Sequence, residues 1–189
     1  HERLVGSEMC IRDSIAASTS ISGSYIYGYE GWALDNWCVN YPGGNITSSV
    51  ANRLMTVHLP YVKQADYSSD KVSSGSNGLS RKCFLLSAVE MGVYTWQGID
   101  GLMAQEGAKL DYFDYTTAAT DKREADNEYW TRSKRTHNGN YMYAFYADGS
   151  FCNAGYREDS HGLRPCIVLP LNTLVTTVTF LWASSNYIN

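Results

Sequence analysis

The sequence predicts a domain that mixes α-helix and β-strand, and three segments carry this prediction. Asn45–Val57 has apolar residues spaced along one helix face. Lys82–Ser87 is short and apolar, as a buried strand is. The last third alternates its side chains and contains Asp148-Gly149, a signal for a tight hairpin. At 189 residues the chain is long enough to bury a hydrophobic core without needing disulfide bonds or bound metal ions.

The two ends of the chain are interpreted separately from its middle. Residues 7–14 read SEMCIRDS, which resembles the peptide obtained when sequencing-adapter DNA is translated. We therefore expect residues 1–14 to be an artefact or disordered, and residues 15–24, rich in Ser and Ala, to be a linker. Residues 25–170 are the predicted domain, and residues 171–189 a C-terminal extension or the start of a following segment.

Short elements separated by breaks are expected between residues 25 and 90. Tyr25–Tyr29 reads as a strand, and Trp32–Asn40 fits either a weak helix or a turn. A turn that breaks regular structure is predicted at Tyr41–Asn45, before the predicted helix, and a strand is predicted at Tyr61–Lys63, after it. Residues 66–80 are predicted to be a polar loop, and Ser87 with Glu90 matches a helix capping box.

Residues 92–170 are expected to contain buried aromatic anchors and then the β-rich part of the domain. The anchors are Trp96, Tyr112, Phe113 and Tyr115, and residues 120–127 are expected to form a short exposed helix. Strand Tyr141–Ala147 turns at Asp148-Gly149 into a returning strand, and Gly162–Pro170 supplies the closing core strand.

Composition excludes some classes of function and favours others. A net charge of −4 and a pI near 5.5 argue against a nucleic-acid partner. No run of about 18 apolar residues occurs, so membrane insertion is not expected. The chain has 15 tyrosines, which combine a rigid apolar ring with a polar tip, as in recognition surfaces.

The sequence predicts no catalytic residue, no cofactor and no metal site. The patterns H-E-x-x-H, G-x-G-x-x-G and C-x-x-C are absent. Cys152 is the most exposed candidate nucleophile, and no activating partner lies near it in sequence. The disulfide state stays open, because four of the five cysteines allow three pairings: Cys38, Cys83, Cys152 and Cys166.

Four sequence blocks occur in order, and together they resemble a known family. They are CFLLSAVE (83–90), YWTRS (129–133), AFYADG (144–149) and GLRPCIVL (162–169). They resemble an uncharacterised family of bacterial and prophage domains of unknown function, which looks related to the C-type-lectin-like and sulfatase-modifying-factor-like group. The resemblance implies an α+β, C-type-lectin-like fold, with two helices packed on a small twisted, mainly antiparallel sheet and long loops on one side. The calcium-lectin signatures E-P-N and Q-P-D are absent, so calcium-dependent sugar binding is not expected.

The resemblance implies a non-catalytic binding domain of a phage tail or bacterial surface protein. Its partner would be a host cell-surface glycan or protein, and homo-oligomerisation is left open. Alternatives are an assembly module of a virion or surface protein, or an enzyme of the sulfatase-modifying type. Polar and aromatic residues of the 134–161 loops are the expected ligand contacts: Lys134, Arg135, His137, Asn138, Tyr141, Tyr143, Tyr156, Arg157, Glu158, Asp159 and His161. A structural role is expected for Trp130, Arg132, Asp148, Gly149, Arg164 and Pro165.

Overall fold

The protein is an α+β domain, and its described residues form two α-helices and small, mainly antiparallel sheets. The computed structural model describes residues 8–10, 29–63, 72–93, 105–135, 141–156 and 161–170, with the backbone alone for 8–10 and 153–156. The helices are α1 (Ala33–Asn45) and α2 (Ser48–Ala51), and Gly75–Asn77 forms a 3₁₀ turn. The strands are β1 (Glu8–Cys10), β2 (Val57–Leu59), β3 (Tyr61–Val62), β4 (Val72–Ser73), β5 (Leu79–Arg81), β6 (Cys83–Leu85), β7 (Tyr129–Lys134), β8 (Tyr141–Phe145), β9 (Phe151–Tyr156), β10 (Gly162–Leu163) and β11 (Pro165–Val168).

The strands of the described residues form four sheets. The largest has the order β10-β7-β8-β9, in which β10 runs parallel to β7 and the other pairs are antiparallel. A second sheet has the order β1-β11-β6, and two-stranded ribbons join β2 to β5 and β3 to β4. Helix α1 packs on β6, so the core lies between this helix and the sheets.

Helix α1 continues through the sequence that predicted a break. Pro42 lies inside it, yet the main-chain N–H of Ile46 still donates to the Pro42 carbonyl at 3.4 Å, and the side-chain amide of Asn45 donates to the Tyr41 carbonyl at 3.1 Å. At its start, Asp35 Oδ2 accepts from Gly31 N–H at 2.8 Å. The Trp32–Asn40 segment, left open between helix and turn, is therefore mostly helical.

The predicted helix Asn45–Val57 is wrong over most of its length. Asn45 ends α1, α2 has four residues, and Val57 already belongs to β2. Met55 N–H donates to the Val168 carbonyl at 2.9 Å, so a contact with β11 replaces a helical hydrogen bond. The buried Leu54 occupies the core without a helix around it.

The capping-box sequence makes both of its hydrogen bonds, but no α-helix follows. Ser87 N–H donates to Glu90 Oε2 and Glu90 N–H to Ser87 Oγ, each at 3.0 Å. Gly92 closes this single turn with φ +85°, in the left-handed region that suits glycine. A Cβ at Gly92 would meet the Asp114 carbonyl at 2.0 Å, so the chain passes too closely there for any other residue.

Three further segments differ from expectation. Residues 8–10, expected to lie outside the domain, form β1 opposite Cys166–Val168 of β11. The adapter interpretation of residues 1–14 stays a prediction. The predicted 66–80 loop contains β4, the 3₁₀ turn and the start of β5. Residues 120–127 form turns rather than a helix, because their main chain bonds to the hairpin instead: Thr120 N–H to Asp148 O at 3.3 Å and Ala125 N–H to Ala147 O at 3.0 Å.

Candidate functional site

A long ordered loop surrounds the turn of the β8–β9 hairpin. Residues 105–128 contain neither helix nor strand, but they are held in place by the buried Arg123. Its guanidinium donates to the carbonyls of Met91 at 3.3 Å, Thr116 at 2.8 Å and Ala118. It also lies 4.7 Å from the Phe145 ring centre, and desolvation lowers its pKa. The loop is therefore a fixed part of the fold.

The hairpin turn is shaped to accept this loop. Asp148 Oδ1 accepts from Ser150 N–H at 2.8 Å, and Gly149 has φ +78°. A Cβ at Gly149 would come within 2.4 Å of the Thr120 carbonyl, so glycine permits both the turn and the close approach of the loop. This turn positions the loop against the sheet.

The loop carries an exposed aromatic surface, which we call the Tyr112/Tyr115 surface and which consists of Lys109, Tyr112, Asp114, Tyr115 and Lys122. Tyr112 is 56% exposed and Tyr115 50%. The Lys122 ammonium lies 5.6 Å from the Tyr112 ring centre and that of Lys109 5.0 Å from the Tyr115 ring centre. These contacts with the ammonium groups restrain the orientation of both tyrosine rings, while about half of each side chain stays exposed to solvent.

Of the three aromatic residues Tyr112, Phe113 and Tyr115, one is buried in the core and two are exposed. Phe113 is buried, as expected of an anchor, and Tyr112 packs edge-on against it with ring centres 5.0 Å apart. The expectation that Tyr112 and Tyr115 are core anchors is wrong. Lys109 Nζ donates to the Phe113 carbonyl at 2.7 Å, which fixes the backbone between the two exposed rings.

Two of the expected ligand contacts are not available at the surface. Tyr143 is fully buried and stacks on Phe151 with ring centres 5.3 Å apart, because β8 turns this side chain towards the core. Lys134 is also buried. Tyr143 and Lys134 therefore cannot contact a ligand in this conformation.

The remaining described members of that set lie at opposite ends of the β8–β9 hairpin. Arg135 lies over the Tyr141 ring at 5.8 Å, beside the pairing of Tyr141 with Tyr156. His161 precedes β10 at the other end, where Tyr129 pairs with Phe145. The length of β8 puts these ends about 14 Å apart. The positions of His137, Asn138, Arg157, Glu158 and Asp159 lie outside the described residues, as does the side chain of Tyr156.

His161 has a partner that sequence reasoning did not identify. Its Nδ1 lies 3.0 Å from Glu128 Oε2, and its ring meets that of Trp130 edge-on at 4.2 Å. His161 Nε2 and Trp130 Nε1 are buried without a hydrogen-bond partner. Only the parallel pairing of β10 with β7 brings Glu128 and His161 together, so no local sequence signal could have shown it.

The two arginines expected to be structural both bind the backbone. Arg132 is fully buried and donates to Pro60 O at 3.1 Å and Leu85 O at 2.9 Å. Arg164 donates to the main-chain carbonyl of Lys122 at 3.5 Å and to the Tyr129 hydroxyl at 3.3 Å, and it lies 5.5 Å from the Tyr129 ring centre. Near them, Trp130 is buried in β7 and Pro165 begins β11 opposite Leu85.

Arg132 also forms an ion pair with the buried Glu90 carboxylate and lies near the buried Glu106. Its guanidinium forms a two-pronged ion pair with Glu90, with both N···O distances 2.5 Å, and contacts only the main-chain carbonyl of Glu106 at 3.4 Å. Glu106 Oε1 accepts from Val62 N–H at 3.2 Å, while Oε2 has no hydrogen-bond partner. Burial therefore raises the pKa of the Glu106 carboxyl to about 7, against the opposing effect of Arg132. No local sequence pattern pointed to Glu106, since the burial of its carboxyl depends on tertiary packing.

Within the described part of the chain, no three His, Cys, Asp or Glu side chains lie close enough to share a metal ion. The half-buried Cys152 lies beside the Tyr146 hydroxyl. The described helices include none long and apolar enough to cross a membrane.

Comparison with known proteins gives a single family. The family model described as Domain of unknown function (DUF6273) matches residues 6–171, which include β1 and every later strand. Neither a curated protein nor a solved structure matches the chain. The expected resemblance to an uncharacterised family of unknown function is confirmed, and the chain belongs to the family described as Domain of unknown function (DUF6273).

Proposed function

We propose that the protein is a non-catalytic recognition domain that binds a glycan on a host cell surface through the Tyr112/Tyr115 surface. The observation that carries this proposal is a pair of half-exposed tyrosine rings on a loop that the buried Arg123 fixes to the fold. A C-type-lectin-like relationship is part of the proposal, supported by the long ordered loop beside a small antiparallel sheet. Display on a phage tail or a bacterial surface protein would give such a domain access to host glycans.

Rigid aromatic rings suit the weak binding of sugars. A tyrosine has two side-chain torsions, so ordering it on a ligand costs little conformational entropy. Lys109 and Lys122 already restrain the two rings, which lowers that cost further. The apolar face of a sugar ring can stack on tyrosine, while its hydroxyl groups bond to Asp114 and the two ammonium groups.

The Arg135–Tyr141 pair is a possible second contact for the same class of ligand. It combines an aromatic ring with a cation, as the Tyr112/Tyr115 surface does. Its place at the far end of the hairpin means that one short oligosaccharide would not span both. The main ligand contact is therefore assigned to the ordered loop rather than to the 134–161 loops.

A glycan array tests this proposal with a matched tyrosine control. Residues 1–189 are compared with Tyr112→Ala, Tyr115→Ala and, as control, Tyr146→Ala, which removes a ring that is 43% exposed elsewhere. Loss of a stacking ring that contributes about 1.4 kcal/mol weakens binding about tenfold. We expect such a loss in the first two variants and unchanged binding in the control, with equal melting temperatures.

Two results would overturn the proposal. Equal losses in all three variants would mean that tyrosine content, not this surface, determines binding. A flat array combined with a stable oligomer in solution would favour the assembly module instead.

A further inference from the structure

Cys38 and Cys83 lie against each other in the core. Cys38 is in the middle of α1 and Cys83 begins β6, and this helix packs on this strand. The two side chains are 0% and 1% exposed. The Cys83 thiol and the Tyr29 hydroxyl both lie beside the Cys38 thiol, at the place where α1 packs on β6.

In the reduced state this pair has little chemistry available to it. Burial and the neighbouring thiol raise the pKa of Cys38, so it stays protonated and is a poor nucleophile. The described residues place no third His, Cys, Asp or Glu beside the pair to complete a metal site. What the arrangement does favour is a bond between the two sulfurs, since they are already neighbours on two packed elements.

We propose that Cys38 and Cys83 are a modification site: they form an intramolecular disulfide when the chain folds in an oxidising compartment. The oxidant is a small-molecule disulfide. The thiolate of one cysteine displaces a thiol from it to give a mixed disulfide, and the second thiolate displaces the other half. Two protons and two electrons leave the cysteines, the S–S bond of the oxidant breaks, and two small-molecule thiols form.

Burial of both sulfurs determines when this reaction takes place. A folded chain does not admit the oxidant to either thiol, so exchange precedes the final packing of α1 on β6. Once formed, the bond links α1 to β6 and closes the loop from residue 38 to residue 83. Such a loop limits the freedom of the unfolded chain and raises thermal stability. The inference is independent of the proposed recognition function.

The other cysteines provide internal controls. Cys152 is half-buried on β9, which belongs to a different sheet from β6. Cys10 is the strand partner of Cys166 in the β1–β11 pairing, so a second link is possible there. The thermal comparison is therefore made in a Cys10→Ser/Cys152→Ser background, which keeps Cys38, Cys83 and Cys166.

Peptide mapping after refolding tests the proposal. The chain is refolded in a buffer of oxidised and reduced glutathione, free thiols are alkylated, and the digest is analysed by mass spectrometry. We expect a linked peptide pair containing Cys38 and Cys83, with Cys152 alkylated. In the serine background, reductant should lower the melting temperature by several degrees. Further replacement of Cys38 and Cys83 by serine should remove that dependence.

Either of two findings would overturn the proposal. One is alkylation of both Cys38 and Cys83 after oxidative refolding. The other is a linked form that melts below the reduced form, because the fold would then not accept the bond.

Discussion

Replacement of Arg132 by methionine tests how far the buried charges determine stability. The side chain is fully buried and makes five contacts: three to main-chain carbonyls and a two-pronged pair with Glu90. Methionine fills a similar volume but provides no hydrogen-bond donor. Arg132→Met would therefore leave Glu90 with only the Ser87 N–H as a partner.

The size of the effect follows from the uncompensated charge. Removing one partner of a buried ion pair costs about 3–5 kcal/mol. Domains of ordinary stability unfold with about 5–15 kcal/mol, so the variant would retain a smaller but measurable stability. Arg132→Lys keeps the charge and loses the planar fork, and we expect a loss of about 1–3 kcal/mol.

Urea unfolding of the purified chain, followed by tryptophan fluorescence, measures these free energies. The double variant Arg132→Met/Glu90→Gln is the control. Glutamine removes the unpaired negative charge of Glu90, while its amide oxygen can still accept a hydrogen bond from Ser87 N–H. We expect the double variant to be more stable than Arg132→Met alone by about 1–2 kcal/mol.

Two outcomes would refute this reasoning. If Arg132→Met lowers the free energy of unfolding by less than about 1 kcal/mol, Glu90 is not left as an uncompensated buried charge in the variant. If the losses of the two single variants simply add in the double variant, Arg132 and Glu90 are not coupled.

Three further predictions concern pH and glycine. The pKa of the Glu106 carboxyl is raised from 4.5 to about 7 in the folded state, so the folded chain binds this proton more tightly than the unfolded chain does. The free energy of unfolding should therefore fall as pH rises through this window, by up to about 3 kcal/mol. In Glu106→Gln, the urea midpoints measured at pH 5 and pH 8 should converge. Gly149→Ala should lower the free energy of unfolding more than Gly31→Ala, because both have positive φ but only Gly149 would clash with a neighbouring carbonyl; equal losses in chemical denaturation would contradict this. Gly43→Ala should stabilise α1 by about 0.5–1 kcal/mol, since its Cβ meets nothing within 4 Å, and a lower melting temperature would count against it.

Local patterns in the sequence predicted the parts of the fold that local interactions form. Asp148-Gly149 predicted the β8–β9 hairpin, since the turn needs a positive φ that glycine adopts. The short apolar segment around Cys83–Leu85 predicted a buried strand. Ser87 and Glu90 predicted their reciprocal hydrogen bonds, although not the single turn in which they occur.

Periodicity failed where distant contacts replaced local ones. The spacing across Asn45–Val57 fits a helix, but the bond from Met55 to the Val168 carbonyl draws the chain into a different path. The candidate site shows the same limitation. Nothing in the sequence distinguishes the exposed Tyr112 from the buried Phe113 beside it, because burial depends on where the loop is anchored.

By itself, the sequence determined the mixture of helix and strand, the hairpin and the family, each of which depends on residues close together in the chain. Only the tertiary structure determined the rest. Arg123 gathers carbonyls from Met91 to Ala118, β10 brings His161 to Glu128, and α1 carries Cys38 to Cys83. These contacts join residues far apart in sequence, and their free energy depends on a burial that exists only once the chain has folded.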